Sequence, residues 1–397
     1  MDGSNINGVD LLVPKSLEGI LPKSPNPEYF NYEHYHYLGL KLLVSPGDTV
    51  LDLGSYYGVM SCLISKLCGP EGKVFAFEAN PAVIERAAEL AKVNNLRNIN
   101  FINQFVGEKS GAAVDFFVVP SEHSASSTGN PEILKFHSDA VLTKVDTVSI
   151  DGFVKETGVL PDVCMIDIEG AEYVALKGME NLLSNHDVDL VIETHGDEML
   201  KIGGNVDSLL QILQKFGYNM IDLLTPTPIF REEFTQRYNK LTGHILLSKK
   251  LQDEGFLKKS LTQATIEIMN TPALFNSTID NIQKAIEKND FDKTKYLKDL
   301  LKREPGHARM NYLYALSLHL QNKDSKKALY HYRVALDNGF DEYWVRYNRG
   351  SLLSDLGNLD AALADVEILQ RMRPGDQNVV AMRERIISKG PQTQRAD

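Results

Sequence analysis

The sequence predicts an α/β protein in which an open, mostly parallel sheet carries helices on both faces, followed by an all-α region. Three observations predict it. Between about residues 46 and 250, short apolar runs alternate with stretches of helical period, the rhythm of parallel strands joined by crossover helices. The first of those runs, Val50 to Leu53, ends in Gly54, and Gly58 opens the helix behind it. Such a turn marks the edge at which sheets of this kind hold ligands. After about residue 250 the strand signal vanishes, and amphipathic helix continues to the end.

Taken in order, residues 1–45 read as an N-terminal entry segment, polar and Pro-rich before it turns aromatic from Tyr29 to Tyr37. Met60 to Leu67 has helical spacing and stops at Gly69-Pro70. Val74 to Phe77 is the second strand, and Pro81 opens a helix through Ala91, as proline does in a first turn. Ile99 to Ile102 is the third strand. Residues 111–150 break the rhythm: β-rich from Val114 to Val119, then Ser-rich, then alternating from Val145 to Ile150. It resumes with strands at Val163 to Ile166 and Leu190 to Ile192, and a last strand fits His244 to Leu247. The division expected is 46–252 for the α/β domain and 256–397 for the helical one.

Composition narrows the partners. With 397 residues the chain exceeds what one hydrophobic core usually serves. A net charge of −11 without a Lys/Arg cluster disfavours phosphate backbones and anionic lipid, so neither nucleic acid nor membrane is an expected partner. The three cysteines, Cys62, Cys68 and Cys164, sit in apolar runs without metal-type spacing and read as reduced thiols. Met1-Asp2-Gly3-Ser4 lacks the basic and apolar regions of a signal peptide, and no apolar run reaches the ~20 residues that span a bilayer. The expected location is the cytoplasm.

The helical region holds an imperfect repeat. Ala315 and Gly350 are 35 residues apart, close to the ~34-residue tetratricopeptide period. Ala328 follows one and Ala361-Ala362 the other, where the second helix of such a unit packs, and Pro305 and Pro374 close units two periods apart. This resembles tetratricopeptide repeats, whose stacked helix pairs expose a concave face. A protein partner or a second copy of the chain is therefore expected there. Tyr312, Tyr330, Tyr343, Trp344, Arg346 and Tyr347 are candidates for that face, although packing between helices is the commoner fate of aromatics at such spacing.

Three strand ends carry the candidate chemistry. In Asp52-Leu53-Gly54-Ser55-Tyr56-Tyr57-Gly58 the glycines permit a sharp turn and close approach of a ligand. Tyr56 stands where a dinucleotide loop has the glycine that admits a pyrophosphate. Glu78 follows the second strand, where a carboxylate can accept both ribose hydroxyls. A ligand with a ribose and no phosphate, such as S-adenosylmethionine, meets both conditions; a plain structural turn is the alternative. In Asp167-Ile168-Glu169-Gly170-Ala171-Glu172, carboxylates stand just past a buried strand, where Asp is also a good helix cap. In Glu193-Thr194-His195 an imidazole ends another strand, placed to take a proton near neutral pH.

Together these residues resemble the FkbM-type methyltransferases over roughly residues 30 to 250, and His123-Ser124-Ala125-Ser126-Ser127 resembles that family's Ser-rich loop. The resemblance implies a Rossmann-like class I methyltransferase sheet. It also implies transfer of a methyl group from S-adenosyl-L-methionine to a hydroxyl of a sugar, glycan or natural product. Carried over by position, Asp52, Gly54, Ser55, Gly58 and Glu78 bind cofactor, with Gln104 beside the adenine. His195, Asp167 and Glu169 face the methyl and the acceptor. Two residues depart from the family pattern: Tyr56 where asparagine is usual, and Met165 where lysine is usual.

The sulfonium methyl is already activated, so the expected work is to hold an oxygen in line at about 3–3.5 Å and remove its proton. His195 is the first choice of base and Asp167 the second. No metal is assigned; the alternative is Mg²⁺ on Asp167, Glu169, Glu193 and His195. Two other readings stay open: a non-catalytic scaffold whose repeats recruit a partner, and methylation of a protein or peptide.

Overall fold

The structure, a computed structural model, describes residues 2–18, 27–111, 113–119 and 140–389. The chain divides into two compact units, Met1–Phe275 and Asn276–Asp397.

The first unit opens with a hairpin of β1 (Asp2–Ile6) and β2 (Val9–Val13), then helix α1 (Pro27–Leu43). The alternation follows: β3 (Thr49–Leu53), α2 (Val59–Cys68), β4 (Lys73–Phe77), α3 (Pro81–Val93) and β5 (Ile99–Ile102). Asn80 caps α3 by accepting from the Ala82 N–H, with Pro81 in the first turn. The irregular stretch is a small second sheet of β6 (Phe105–Val106), β7 (Ala113–Val118) and β8 (Val141–Val148). The expected Ser-rich loop lies outside the described residues. Then come α4 (Ile150–Thr157), β9 (Val163–Ile166), α5 (Glu172–Lys177), α6 (Glu180–Asn185) and β10 (Asp189–His195). The unit closes with α7 (Gly196–Lys201), α8 (Val206–Lys215), β11 (Asn219–Asp222), β12 (Thr227–Ile229), α9 (Arg231–Tyr238), β13 (Thr242–Ser248) and α10 (Glu254–Asn270).

The main sheet has the order β12-β11-β13-β10-β9-β3-β4-β5. Strands β5, β4, β3, β9 and β10 run parallel, while β13 is antiparallel to both β10 and β11. Central strands are buried on both faces, as parallel strands under two helix layers must be: β9 is buried at all four residues. The chain first builds outward through β4 and β5, then returns to lay β9 and β10 on the other side of β3. The order therefore reverses between β3 and β9. Their carboxyl ends splay into a crevice, the usual place for a ligand in such a sheet. The predicted strands form, except that the alternating run ends at Val148 because Ser149 caps α4 and Ile150 opens it; β6, β11, β12 and the opening hairpin are additions, each short and without a long apolar run.

Helix α10 follows the expected boundary near residue 252, yet the division of the chain falls at Phe275. It lies on α1, where Lys41 pairs with Glu267. The second unit is all-helical: α11 (Pro272–Glu287, which enters it at Asn276), α12 (Lys295–Arg303), α13 (Ala308–Leu320), α14 (Ser325–Asp337), α15 (Glu342–Asp355), α16 (Leu359–Met372) and α17 (Gln377–Ser388). Ala315, Ala328 and Ala362 are fully buried. A Cβ on Gly350 would come within 2.8 Å of Met382 Cε, so this glycine lets α17 approach α15. Of the aromatic candidates, Tyr343 is buried in the core of this unit, whereas Tyr330 and Trp344 are exposed. Arg346 pairs with Glu342 and the buried Asp365.

Candidate active site

Strand β3 brings Asp52 and Gly54 to the crevice. Asp52 is buried and accepts a 2.5 Å hydrogen bond from the Ser61 hydroxyl of α2. Burial pushes its carboxyl up to about 6, against the Ser61 bond that favours the ionised form. Gly54 has φ +93°, and a Cβ there would fall 1.7 Å from the Asp167 carbonyl oxygen. The backbone leaving β9 crosses this turn, so the glycine answers first to the protein itself. At Gly58, φ is +76° and a Cβ would stand 2.9 Å from Ala87 Cβ of α3.

Tyr56 takes the left-handed conformation, φ +44°, rare for an aromatic residue. Its N–H donates to Glu78 Oε2 at 2.8 Å, and the Asn80 N–H donates to Oε1 at 2.7 Å. The carboxylate is thus held in place by backbone donors at the edge of the crevice. Burial raises its pKa, and the backbone donors oppose this. Ser55 Oγ is buried and has no hydrogen-bond partner, an orphan at the turn that a polar ligand group would satisfy. Gln104 lies two residues past β5, half-buried. The residues of this wall fit a ribose-bearing, phosphate-free cofactor.

On the other side of the crevice, β9 and β10 build a ring of carboxylates around one imidazole. His195 Nδ1 donates to Glu172 Oε1 at 2.8 Å, and the same oxygen accepts the Gly170 N–H at 3.0 Å. His195 Nε2 lies 3.4 Å from Glu169 Oε2, 3.6 Å from Glu193 Oε1 and 3.9 Å from Asp167 Oδ1. Behind the ring, His36 Nε2 of α1 lies 2.9 Å from Glu193 Oε2 and 3.1 Å from His244 Nδ1 of β13. All three of these groups are buried. Glu169 is left-handed, φ +51°, and Gly170 has φ +105°, where a Cβ would also meet Glu198 of α7.

The electrostatics follow from this crowding. Burial pushes Asp167 well above the usual carboxylate range, and the neighbouring Glu193 adds to it. Glu193 itself is pushed up to about 7, chiefly by burial, with His195 opposing. Burial raises Glu169 as well. For His195 burial acts downward, but Glu172, Asp167 and Glu169 outweigh it and hold the imidazole protonated well above its ordinary range. Asp167 and His195 are thus both shifted upward, so the two expected bases compete for the same proton.

Two groups expected in the site thus meet at the crevice from opposite sides, Asp52-to-Glu78 on one and Asp167-to-His195 on the other. The sequence reading gives no role to Glu172, His36 or His244, and it admits Glu193 only as an alternative metal ligand. His36 and His244 are 208 residues apart; no spacing rule joins them, because only the packing of α1 across β10 and β13 does so. Glu172 was legible as the end of the acidic string, but not as the partner of His195.

The sheet order, with a single antiparallel strand between β10 and β11, is that of a Rossmann-like sheet of the class I methyltransferase type. S-adenosyl-L-methionine is the cofactor of this class. Residues 52–220 match the model of the methyltransferase FkbM domain. The chain is 30% identical over 149 residues to the hexuronic acid methyltransferase AglP of Haloferax volcanii, covering 37% of this chain and 56% of that protein. It is 38% identical over 58 residues to an arsenite methyltransferase of Halobacterium salinarum, covering 15% of each. It therefore spans about half the length of the first relative and far less of the second. Among solved structures, a methyltransferase FkbM from Methylobacillus flagellatus aligns at 15% identity over 56% of this chain and 50% of that one, with a TM-score of 0.32. Fibrillarin of Aeropyrum pernix aligns at 13% identity over 54% of this chain and 76% of that one, with a TM-score of 0.30.

Proposed function

We propose that this protein is an S-adenosylmethionine-dependent O-methyltransferase acting on a hydroxyl of a sugar, glycan or natural-product acceptor. The observation that carries the reading is the acidic ring at the ends of β9 and β10, set opposite a ribose-type carboxylate within the segment that matches the FkbM domain. The name of AglP, a hexuronic acid methyltransferase, supports a carbohydrate acceptor.

When bound, the cofactor supplies an electrophilic methyl group. The chain supplies position and proton acceptance. Glu78, fixed by backbone N–H groups, offers its carboxylate to the ribose hydroxyls, Gln104 borders the adenine, and the Ser55 hydroxyl finds its missing partner. Asp167 and Glu169 line the acceptor side. Asp167 is the group that receives the acceptor's proton, with His195 the alternative. His195, tied to Glu172, keeps the surrounding carboxylates oriented. The helical unit serves association, as a tetratricopeptide-like module for a protein partner or a second copy. Three free, buried cysteines support a reducing, cytoplasmic setting. Among the described residues no helix is long and apolar enough to cross a membrane.

The test incubates the protein and cofactor with uronic acids, neutral sugars and peptides, and reads acceptor mass. A gain of one methylene on a sugar is expected. Asp167→Asn should lower turnover by roughly 10²–10⁴, as loss of a general base does, with cofactor affinity nearly kept. A gain on peptides only would move the acceptor class, and cofactor binding without transfer to any acceptor would favour a scaffold.

A further inference from the structure

We propose that Asp167, Glu193 and His195 form a site for one divalent cation of the manganese or magnesium class. The purpose of the ion rests on the methyltransferase reading above; its geometry does not.

The three ligand atoms, one from each side chain, all lie within 4.8 Å of one another. His195 Nε2 stands 3.9 Å from Asp167 Oδ1 and 3.6 Å from Glu193 Oε1. Atoms sharing an ion at about 2.1 Å stand about 3 Å apart when adjacent and about 4.2 Å when opposite, so these separations bracket a common centre. Both flexible ligands are already aimed. The Nδ1–H of His195 is committed to Glu172, so Nε2 is the nitrogen an ion would engage, displacing the proton that the surrounding carboxylates favour there. This is the outer-shell carboxylate that metal-bound histidines characteristically carry. Glu193 Oε2 is engaged by His36 at 2.9 Å, which turns Oε1 into the ring.

A second observation concerns the Asp167 side chain, which is 30% exposed: its Oδ1 faces the ring and has no hydrogen-bond partner. Such orphaned oxygens are uncommon unless something else occupies their lone pairs. Among the described residues, no lysine or arginine pairs with Asp167, Glu169, Glu172 or Glu193, so the only positive groups near four carboxylates are imidazoles. Oxygen ligands with one imidazole and no thiolate suit manganese or magnesium over softer metals. Three protein ligands leave open positions toward the crevice. An acceptor hydroxyl entering there would lose its proton more readily on the ion than free in solution.

The test uses full-length protein stripped with chelator and titrated with Mn²⁺ alone, the free ion being read by its paramagnetic resonance signal. One ion per chain is expected. Asp167→Asn and Glu193→Gln should each weaken binding about tenfold or more. Glu172→Gln, which touches no ion, should weaken it by about 10–100-fold through His195. Asp280→Asn, in the helical unit, should leave it unchanged. Equal binding by wild type and by the Asp167→Asn/Glu193→Gln double variant overturns the site. Melting curves identify any variant that does not fold, and the partly exposed Asp167 then carries the comparison alone. Calorimetry of S-adenosylmethionine on the stripped protein separates the two readings. Cofactor binding without Mn²⁺ binding removes the cation and leaves the methyltransferase reading; Mn²⁺ binding without cofactor binding does the reverse.

Discussion

Glu78 and Asp52 stand on neighbouring strands, and each carries a carboxylate away from bulk water for a different reason. Glu78 is held by the N–H groups of Tyr56 and Asn80, so replacing it removes both a ribose acceptor and the tie that fixes the turn. Glu78→Ala should therefore weaken S-adenosylmethionine by about tenfold or more, since a hydrogen bond to a charged group contributes roughly 1.5–3 kcal/mol. Calorimetry checks this, and unchanged affinity would remove Glu78 from the site. Asp52 has one hydroxyl partner and is buried. Its pKa rises from 3.8 to about 6 on folding. A raised carboxyl contributes stability that is fully present below pH 3.8 and lost as pH rises through about 6. At neutral pH the ionised group then costs on the order of 3 kcal/mol. Asn keeps an oxygen for the Ser61 hydroxyl and carries no charge. Asp52→Asn should melt higher than wild type at pH 7.5, with the difference shrinking toward pH 4. A difference independent of pH would show that Asp52 is already neutral or is paired in a way the crevice alone does not reveal.

At the scale of elements, the strands that read clearly are those buried on both faces. Val163 to Ile166 and Val50 to Leu53 have no polar face to dilute the apolar run, apart from Asp52 itself, so pattern alone finds them. Strands β11 and β12 fail to announce themselves because both are short, and β12 is the edge strand and includes Pro228. The ligand-bearing turns were legible for the same reason as the strands: Gly54, Asp167 and His195 each end a readable run. What was not legible is which side chains meet. Gly54 reads in the sequence as room for a ligand, yet the nearest demand on it is the Asp167 carbonyl, a contact made only when β9 returns beside β3. His36 gave no sign of function, since a histidine in an aromatic helix is indistinguishable from ordinary packing until Glu193 is placed against it. Long-range pairing of this kind is a property of topology, not of spacing.

The whole chain reads as two units, and the last question is where the first ends. Composition places the change near residue 252, because strand-like runs stop there. Packing places it later, at Phe275, because α10 belongs with α1. Its buried residues include Ala264 and Ile268, and Lys41 of α1 pairs with Glu267. Helix α1 in turn supplies His36 to the buried group behind the acidic ring. Removing α10 therefore uncovers the outer face of the helix that fixes Glu193, while leaving every proposed cofactor contact in the sequence. A chain ending at Phe275 should fold and bind S-adenosylmethionine with the affinity of the full protein. One ending at Gln252 should melt several degrees lower, because burying even two or three apolar side chains contributes about 1.5–3 kcal/mol each, and it should lose turnover before it loses cofactor. Differential scanning calorimetry and cofactor titration on the two truncated proteins decide the matter. Equal melting temperatures would return α10 to the helical region and the boundary to residue 252.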